Sequence, residues 1–171
     1  MYDFTFHRAR SVDEALALLA EAEVGHVIAG GQTLIPTMKA RLAAPSDLVD
    51  LSGVEGLRGI REDHGIVVIG AMTTHAEVAA SDIVRRRLHG LASLAGGIGD
   101  PAVRHRGTIG GSLANNDPAA CYPAVVLALA ATSVRMRLGV GRQLVISAIR
   151  TVVQDASRAR NIATILAKYG F

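Results

Sequence analysis

Two paired glycines carry the chemistry that this sequence offers most directly. Ala29-Gly30-Gly31-Gln32-Thr33-Leu34 follows a short apolar stretch and precedes a helical pattern. Thr108-Ile109-Gly110-Gly111-Ser112 is the second pair, with similar hydroxyl flanks. Paired glycines let the backbone approach a ligand closely and present consecutive N–H groups. A helix starting just beyond them adds the positive end of its dipole, and Thr or Ser adds a hydroxyl donor. That combination suits a pyrophosphate. The spacing is neither the dinucleotide-binding GxGxxG nor a Walker A loop, whose Lys is missing. Either pair alone also suits a tight turn, and spacing does not name a ligand. Asp117, directly before Pro118, fits a helix cap as well as a ligand contact.

The remaining reactive side chains form no catalytic pattern. None of the six histidines has a partner at metal-ligand spacing, so they read as surface or core-edge residues. Arg104 and Arg106 flank His105 and either steer a phosphate, dock a partner or stand as solvated loop charges. Arg85-Arg86-Arg87 reads as an exposed helix turn. Cys121 has no basic neighbour in sequence and reads as a small buried residue rather than a nucleophile. As the sole cysteine, it excludes an internal disulfide and a multi-cysteine metal or iron–sulfur site on this chain. No catalytic residue and no metal ligand is expected.

Several short elements must position the glycines. Residues 2–7 alternate as a strand. Ser11 and Glu14 have capping-box spacing ahead of the apolar stripe Val12, Ala15, Leu16, Leu19. Residues 26–29 form a strand that stops at Gly30, and 34–41 a short helix with Pro36 in its first turn. Further strands are expected at 47–51 and 66–69. Thr74 and Glu77 open another helix, and a longer one covers 84–94. Residues 96–117, with six glycines, read as one long loop, the kind that is usually functional or disordered. Residues 118–131 read as an Ala-rich helix, 134–137 as a strand and 144–168 as one amphipathic basic helix. Short strands alternating with helices indicate an α+β or α/β domain.

With 171 residues, half of them hydrophobic, one domain with a sizeable core is expected. The low charged fraction of 19% argues against disorder. The net charge of +3 is unevenly placed. Residues 1–133 hold 11 Lys and Arg against 14 Asp and Glu, whereas residues 134–171 hold seven basic residues against Asp155 alone. The body is therefore mildly acidic and is not expected to bind nucleic acid. No apolar run reaches the ~18 residues of a membrane helix, so no transmembrane helix is expected, and residues 1–10 carry charges without an apolar signal core. A cytoplasmic location is the default expectation.

Taken together, several stretches resemble one family. They are Met1-Tyr2-Asp3-Phe4, Ala29 to Pro36, Asp50-Leu51, Ile69-Gly70-Ala71-Met72-Thr73-Thr74, the run from Gly99 through Gly110-Gly111 to Ala114, and Asn116-Asp117-Pro118-Ala119-Ala120. They look like the FAD-binding medium subunit of molybdenum hydroxylases, of the carbon monoxide dehydrogenase and xanthine dehydrogenase type. The resemblance covers about residues 1–135. It implies an α+β fold of the PCMH (vanillyl-alcohol oxidase) type, with subdomains at about 1–55 and 56–135. Residues 136–171 look unlike the family and are expected to form an atypical, basic, helical tail.

By motif position, Ala29, Gly30, Gly31, Gln32, Thr33 and Leu34 would form one side of an FAD pyrophosphate cradle. Thr108, Ile109, Gly110, Gly111 and Ser112 would form the other, and Asp117 is a further carry-over. Some relatives have an acidic flavin contact where this chain has Cys121. The implied function is electron transfer: from [2Fe–2S] clusters on a small partner subunit, through FAD, to NAD or a quinone. A molybdenum-cofactor large subunit would oxidise the substrate. Two other readings are a stand-alone flavin oxidase, for which 171 residues hardly suffice, and a truncated, non-catalytic module whose basic tail docks a partner.

Overall fold

The computed structural model describes residues 1–117, 119–122 and 125, and the backbone of three strands between 136 and 152. The first half is a parallel sheet ordered β1-β3-β2, formed by β1 (Thr5–Arg8), β2 (Gly25–Ile28) and β3 (Asp47–Asp50). Thr5 and Gly25 both pair with Asp47, which sets the register on either side of the central strand. Parallel neighbours need crossovers, and two helices supply them. They are α1 (Val12–Glu21) and α2 (Leu34–Lys39). Ser11 caps α1 by accepting the Glu14 N–H, while Glu14 Oε2 accepts the Arg10 N–H at 2.7 Å. The α1 stripe packs Ala15 and Leu19 on Val49, Leu51 and Val54, giving one core cluster.

The second half begins with a hairpin of β4 (Ile60–Asp63) and β5 (Ile66–Ile69). Its two-residue turn, His64-Gly65, has positive φ at both positions, as a type I′ turn requires. Strand β4 was not expected, because Ile-Arg-Glu-Asp lacks apolar alternation; the turn and the pairing with β5 create it. Helices α3 (His75–Ala80), α4 (Asp82–Arg87) and α5 (His89–Gly97) follow. The longer helix expected over 84–94 is broken at Leu88, whose φ of −140° leaves the helical region as its side chain enters the core. The second core cluster joins Val67 and Ile69 of β5 to Val78, Val84, Leu91, Ala95, Ile109 and Tyr122.

Residues 96–117 are not one loop. They contain α6 (Pro101–Arg106) and α7 (Ile109–Asn115). Both are too short to show periodicity, and each is started by a side-chain cap. Asp100 Oδ1 accepts the Val103 N–H at 2.9 Å, and Thr108 Oγ1 accepts the Gly111 N–H at 3.1 Å.

Beyond residue 135, β6 (Met136–Leu138) and β7 (Arg142–Leu144) form an antiparallel pair, and β8 (Ile149–Val152) adds to the free side of β5. Leu144 and Ile149–Val152 are thus extended where a basic helix was expected over 144–168. Two physical reasons stand behind the difference. Ile149, Thr151 and Val152 are β-branched, and β5 would otherwise remain an edge strand with unpaired backbone groups. The expected helix over 118–131 is seen at Cys121, Tyr122 and Val125. Its other residues, and 153–168 of the expected tail helix, lie outside the described residues.

Candidate functional site

Strand β2 delivers its chain to Gly30 and Gly31, and α2 begins at Leu34. Gly31 has φ of +71°, a conformation that favours glycine. Among the described residues, no protein acceptor lies on the backbone N–H of Gly30, Gly31, Gln32, Thr33 or Leu34. Five successive amides are therefore available to an outside acceptor. The Gln32 side chain folds back, its Nε2 donating to the Gly30 carbonyl at 3.2 Å. Thr33 is exposed and makes no side-chain cap bond.

The second pair sits differently. Thr108 is the N-cap of α7, and the glycines occupy its first turn. Their N–H groups are bonded within the chain. Ile109 donates to the Thr73 carbonyl at 3.0 Å, Gly110 to the Ala71 carbonyl at 2.9 Å, and Gly111 to Thr108 Oγ1. Ser112 donates its N–H to the Thr108 carbonyl, and its side chain is half-buried. Ile109 is fully buried in the second core. The two glycine pairs thus share residue types but not roles: the first is a run of open donors, the second a rigid wall.

The structure brings these two segments together. A Cβ on Gly30 would collide with the Arg106 carbonyl and stand 2.7 Å from the Gly107 Cα. A Cβ on Gly111 would lie 3.6 Å from that of Ala29. Backbone approaches this close exclude any side chain at Gly30. Asp117 is not drawn into this junction. Its Oδ1 accepts the Ala119 N–H at 2.8 Å and its carbonyl accepts the Ala120 N–H at 2.9 Å, so it closes a local turn.

Three sequence readings change. Cys121 is exposed rather than buried. His75 is buried, not at the surface, and burial pushes it down to about 4. Its Nδ1 lies 3.1 Å from the Tyr122 hydroxyl, whose own ionisation burial pushes up. No spacing rule connects two residues 47 positions apart. Arg104 is tied to the chain, its Nη1 donating to the Ile98 and Gly99 carbonyls at 3.2 and 2.8 Å. Arg106 is exposed, with no side-chain partner among the described residues. Among those residues, no cluster of His, Cys, Asp and Glu could hold a metal ion, and no helix is long and apolar enough to cross a membrane.

Residues 2–165 match the family described as the FAD binding domain in molybdopterin dehydrogenase. The chain belongs to that family. The match runs beyond residue 135, into the stretch whose sequence looks atypical. The carbon monoxide dehydrogenase medium chain of Hydrogenophaga pseudoflava is 46% identical over 129 residues, which are 75% of this chain and 45% of that one. The 6-hydroxypseudooxynicotine dehydrogenase complex subunit alpha of Paenarthrobacter nicotinovorans is 45% identical, over 74% of this chain and 43% of its own length. The chain thus spans less than half the length of these curated relatives.

Among solved structures, a carbon monoxide dehydrogenase from Hydrogenophaga pseudoflava superposes with a TM-score of 0.83 at 38% identity, over 90% of this chain and 60% of that one. Quinoline 2-oxidoreductase from Pseudomonas putida 86 superposes with a TM-score of 0.81 at 30% identity. The fold is therefore the PCMH-type fold of the FAD-binding domain family, and FAD is the family's cofactor. The residues present fit such a group: five successive amides without a protein acceptor among the described residues begin at a junction that admits no Cβ at Gly30.

Proposed function

We propose that this chain holds FAD as part of the medium subunit of a molybdenum hydroxylase. The observation that carries this reading is the run of open amides from Gly30 to Leu34, set against the backbone at Gly107. Ala29, Gly30, Gly31, Gln32, Thr33 and Leu34 hold the pyrophosphate through backbone N–H groups, which neutralise and orient it. Thr108, Ile109, Gly110, Gly111 and Ser112 form the opposing wall, with the Ser112 hydroxyl as the polar group. Asp117 joins the site from its place in the family motif alone. The parallel sheet over residues 5–50 and the antiparallel sheet that starts at residue 60 support a division into subdomains near residue 55.

When bound, the flavin accepts and releases electrons singly or in pairs. The chain's residues bind it, orient it and shield it. The proposed source of electrons is a [2Fe–2S] small subunit, fed by a molybdenum-cofactor large subunit, and the proposed acceptor is NAD or a quinone. This chain would supply no substrate-bonding residue. A thermal-shift titration of the purified chain tests the cofactor reading. FAD is expected to raise the melting temperature in a saturable way, and AMP much less. Equal, non-saturating responses to both would overturn it. Co-purification with the two partner subunits tests the assembly.

A further inference from the structure

His75 occupies the first position of α3, behind the capping box of Thr74 and Glu77. Its backbone N–H donates to the Gly107 carbonyl at 3.0 Å. Its ring lies against the same residue: a Cβ on Gly107 would stand 2.6 Å from His75 Nε2 and 2.9 Å from Cδ2. On its other side the ring meets Tyr122, with centroids 5.2 Å apart and Nδ1 3.1 Å from the hydroxyl. Tyr122 is fully buried and His75 is 5% exposed. The imidazole is thus a wedge between a core phenol and the backbone of Gly107. Gly107 in turn precedes the N-cap Thr108 and backs directly onto Gly30.

The surrounding bonds show what the wedge holds in register. Residues 71–75 accept or donate at Gly110, Ile109 and Gly107 in succession, through the Ala71 and Thr73 carbonyls and the His75 N–H. The pairing is one isolated bridge, Thr74 with Thr108, held by these three backbone bonds and not by a continuous ladder. A side chain anchored in the core at one end and against Gly107 at the other adds a side-chain constraint to that short pairing.

We infer that the buried His75–Tyr122 pair is a positioning device that fixes Gly107, the α7 cap and hence the wall facing the open amides of Gly30 to Leu34. The consequence for the cofactor rests on the FAD reading above; the positioning itself does not. Both groups stay uncharged near neutral pH, because burial lowers the imidazole and raises the phenol. The bond is therefore constant under ordinary conditions, as a positioning contact requires.

Amide hydrogen exchange on the full chain, without FAD, tests the positioning directly. In Tyr122→Phe, exchange at Ile109, Gly110 and Gly111 is expected to accelerate roughly fivefold to tenfold, the factor that loss of one net hydrogen bond gives. Exchange at Leu48 and Val49, in the other sheet, should not change. His75→Asn keeps an acceptor near the Nδ1 position but removes the ring from Gly107. It should accelerate the same three amides and carries the test if Tyr122→Phe fails to fold. Unchanged exchange at all three amides in a folded variant would overturn the inference. A parallel FAD titration separates the two claims. A wild type that binds no FAD removes the cofactor reading alone. A wild type that binds FAD, with Tyr122→Phe binding several-fold more weakly, supports both.

Discussion

Gly30 and Gly107, 77 positions apart in sequence, meet backbone to backbone: a Cβ on Gly30 would stand 2.7 Å from the Gly107 Cα. This contact joins the end of a parallel strand to the start of a capped helix. Among the described residues, the amides from Gly30 to Leu34 have no protein acceptor, whereas those of Ile109, Gly110 and Gly111 are already bonded. The asymmetry separates two superficially similar glycine pairs. One must stay open, and the other must stay rigid.

Gly30→Ala should therefore be costly. The methyl group has nowhere to go but into the Arg106 carbonyl, and overpacking of this kind costs about 1–3 kcal/mol. Gly90→Ala is the matching control. A Cβ there meets nothing within 4 Å inside α5, so the change should be neutral or stabilise by about 0.5 kcal/mol. Urea unfolding of both variants checks this, and equal midpoints would contradict the packing account.

Thr108→Ala removes the acceptor for the Gly111 N–H and should cost about 1 kcal/mol, with most of it recovered by Thr108→Ser. Thermal melts of the two variants make the comparison. If Ser behaves like Ala, the hydroxyl is not what starts α7.

Stability should fall as pH drops from about 6.5 to about 4. His75 is held down to about 4 in the folded chain by burial, so over that window the unfolded chain binds a proton that the folded chain refuses. The contribution is complete above pH 6.5 and amounts to about 3 kcal/mol when lost. Asp50 and Glu77 also sit below their usual range. Burial works against them, but Ser52 with Arg8, and Arg58 with Thr74, outweigh it. They extend the loss to still lower pH. Denaturant unfolding across pH checks the slope, which His75→Asn should flatten between 4 and 6.5 alone.

Truncation after residue 135 should loosen the second sheet selectively, because β8 is the partner of β5 in the register Ile66 to Val152. Faster amide exchange in β5 with unchanged protection in β3 is the expected result. Intact protection in β5 would show that the strand stands without its tail.

Much of the fold was legible because period and punctuation agreed. The α1 stripe, the Thr74–Glu77 box and the apolar run at 66–69 each encode their element locally. The misreadings share one cause, which is that tertiary context replaced a local signal. Strand β4 depends on the His64-Gly65 turn, and α6 and α7 depend on caps in a glycine-rich stretch. Within the basic pattern after residue 143, Ile149–Val152 pair with β5 instead of continuing a helix. The glycine motifs marked the candidate site, but not which pair would keep its amides free. That follows from Ala71 and Thr73, whose carbonyls no spacing rule connects to Gly110 and Ile109. His75 and Tyr122 were invisible for the same reason.

The most direct test of the account is whether the chain retains flavin through its first glycine pair. Purified wild type should be mixed with excess FAD, passed through a desalting column and read by its visible spectrum, alongside Gly30→Ala. The account predicts retained flavin absorbance near one FAD per chain in the wild type and little in the folded variant. A wild type without flavin absorbance, or a variant that retains as much, would contradict it.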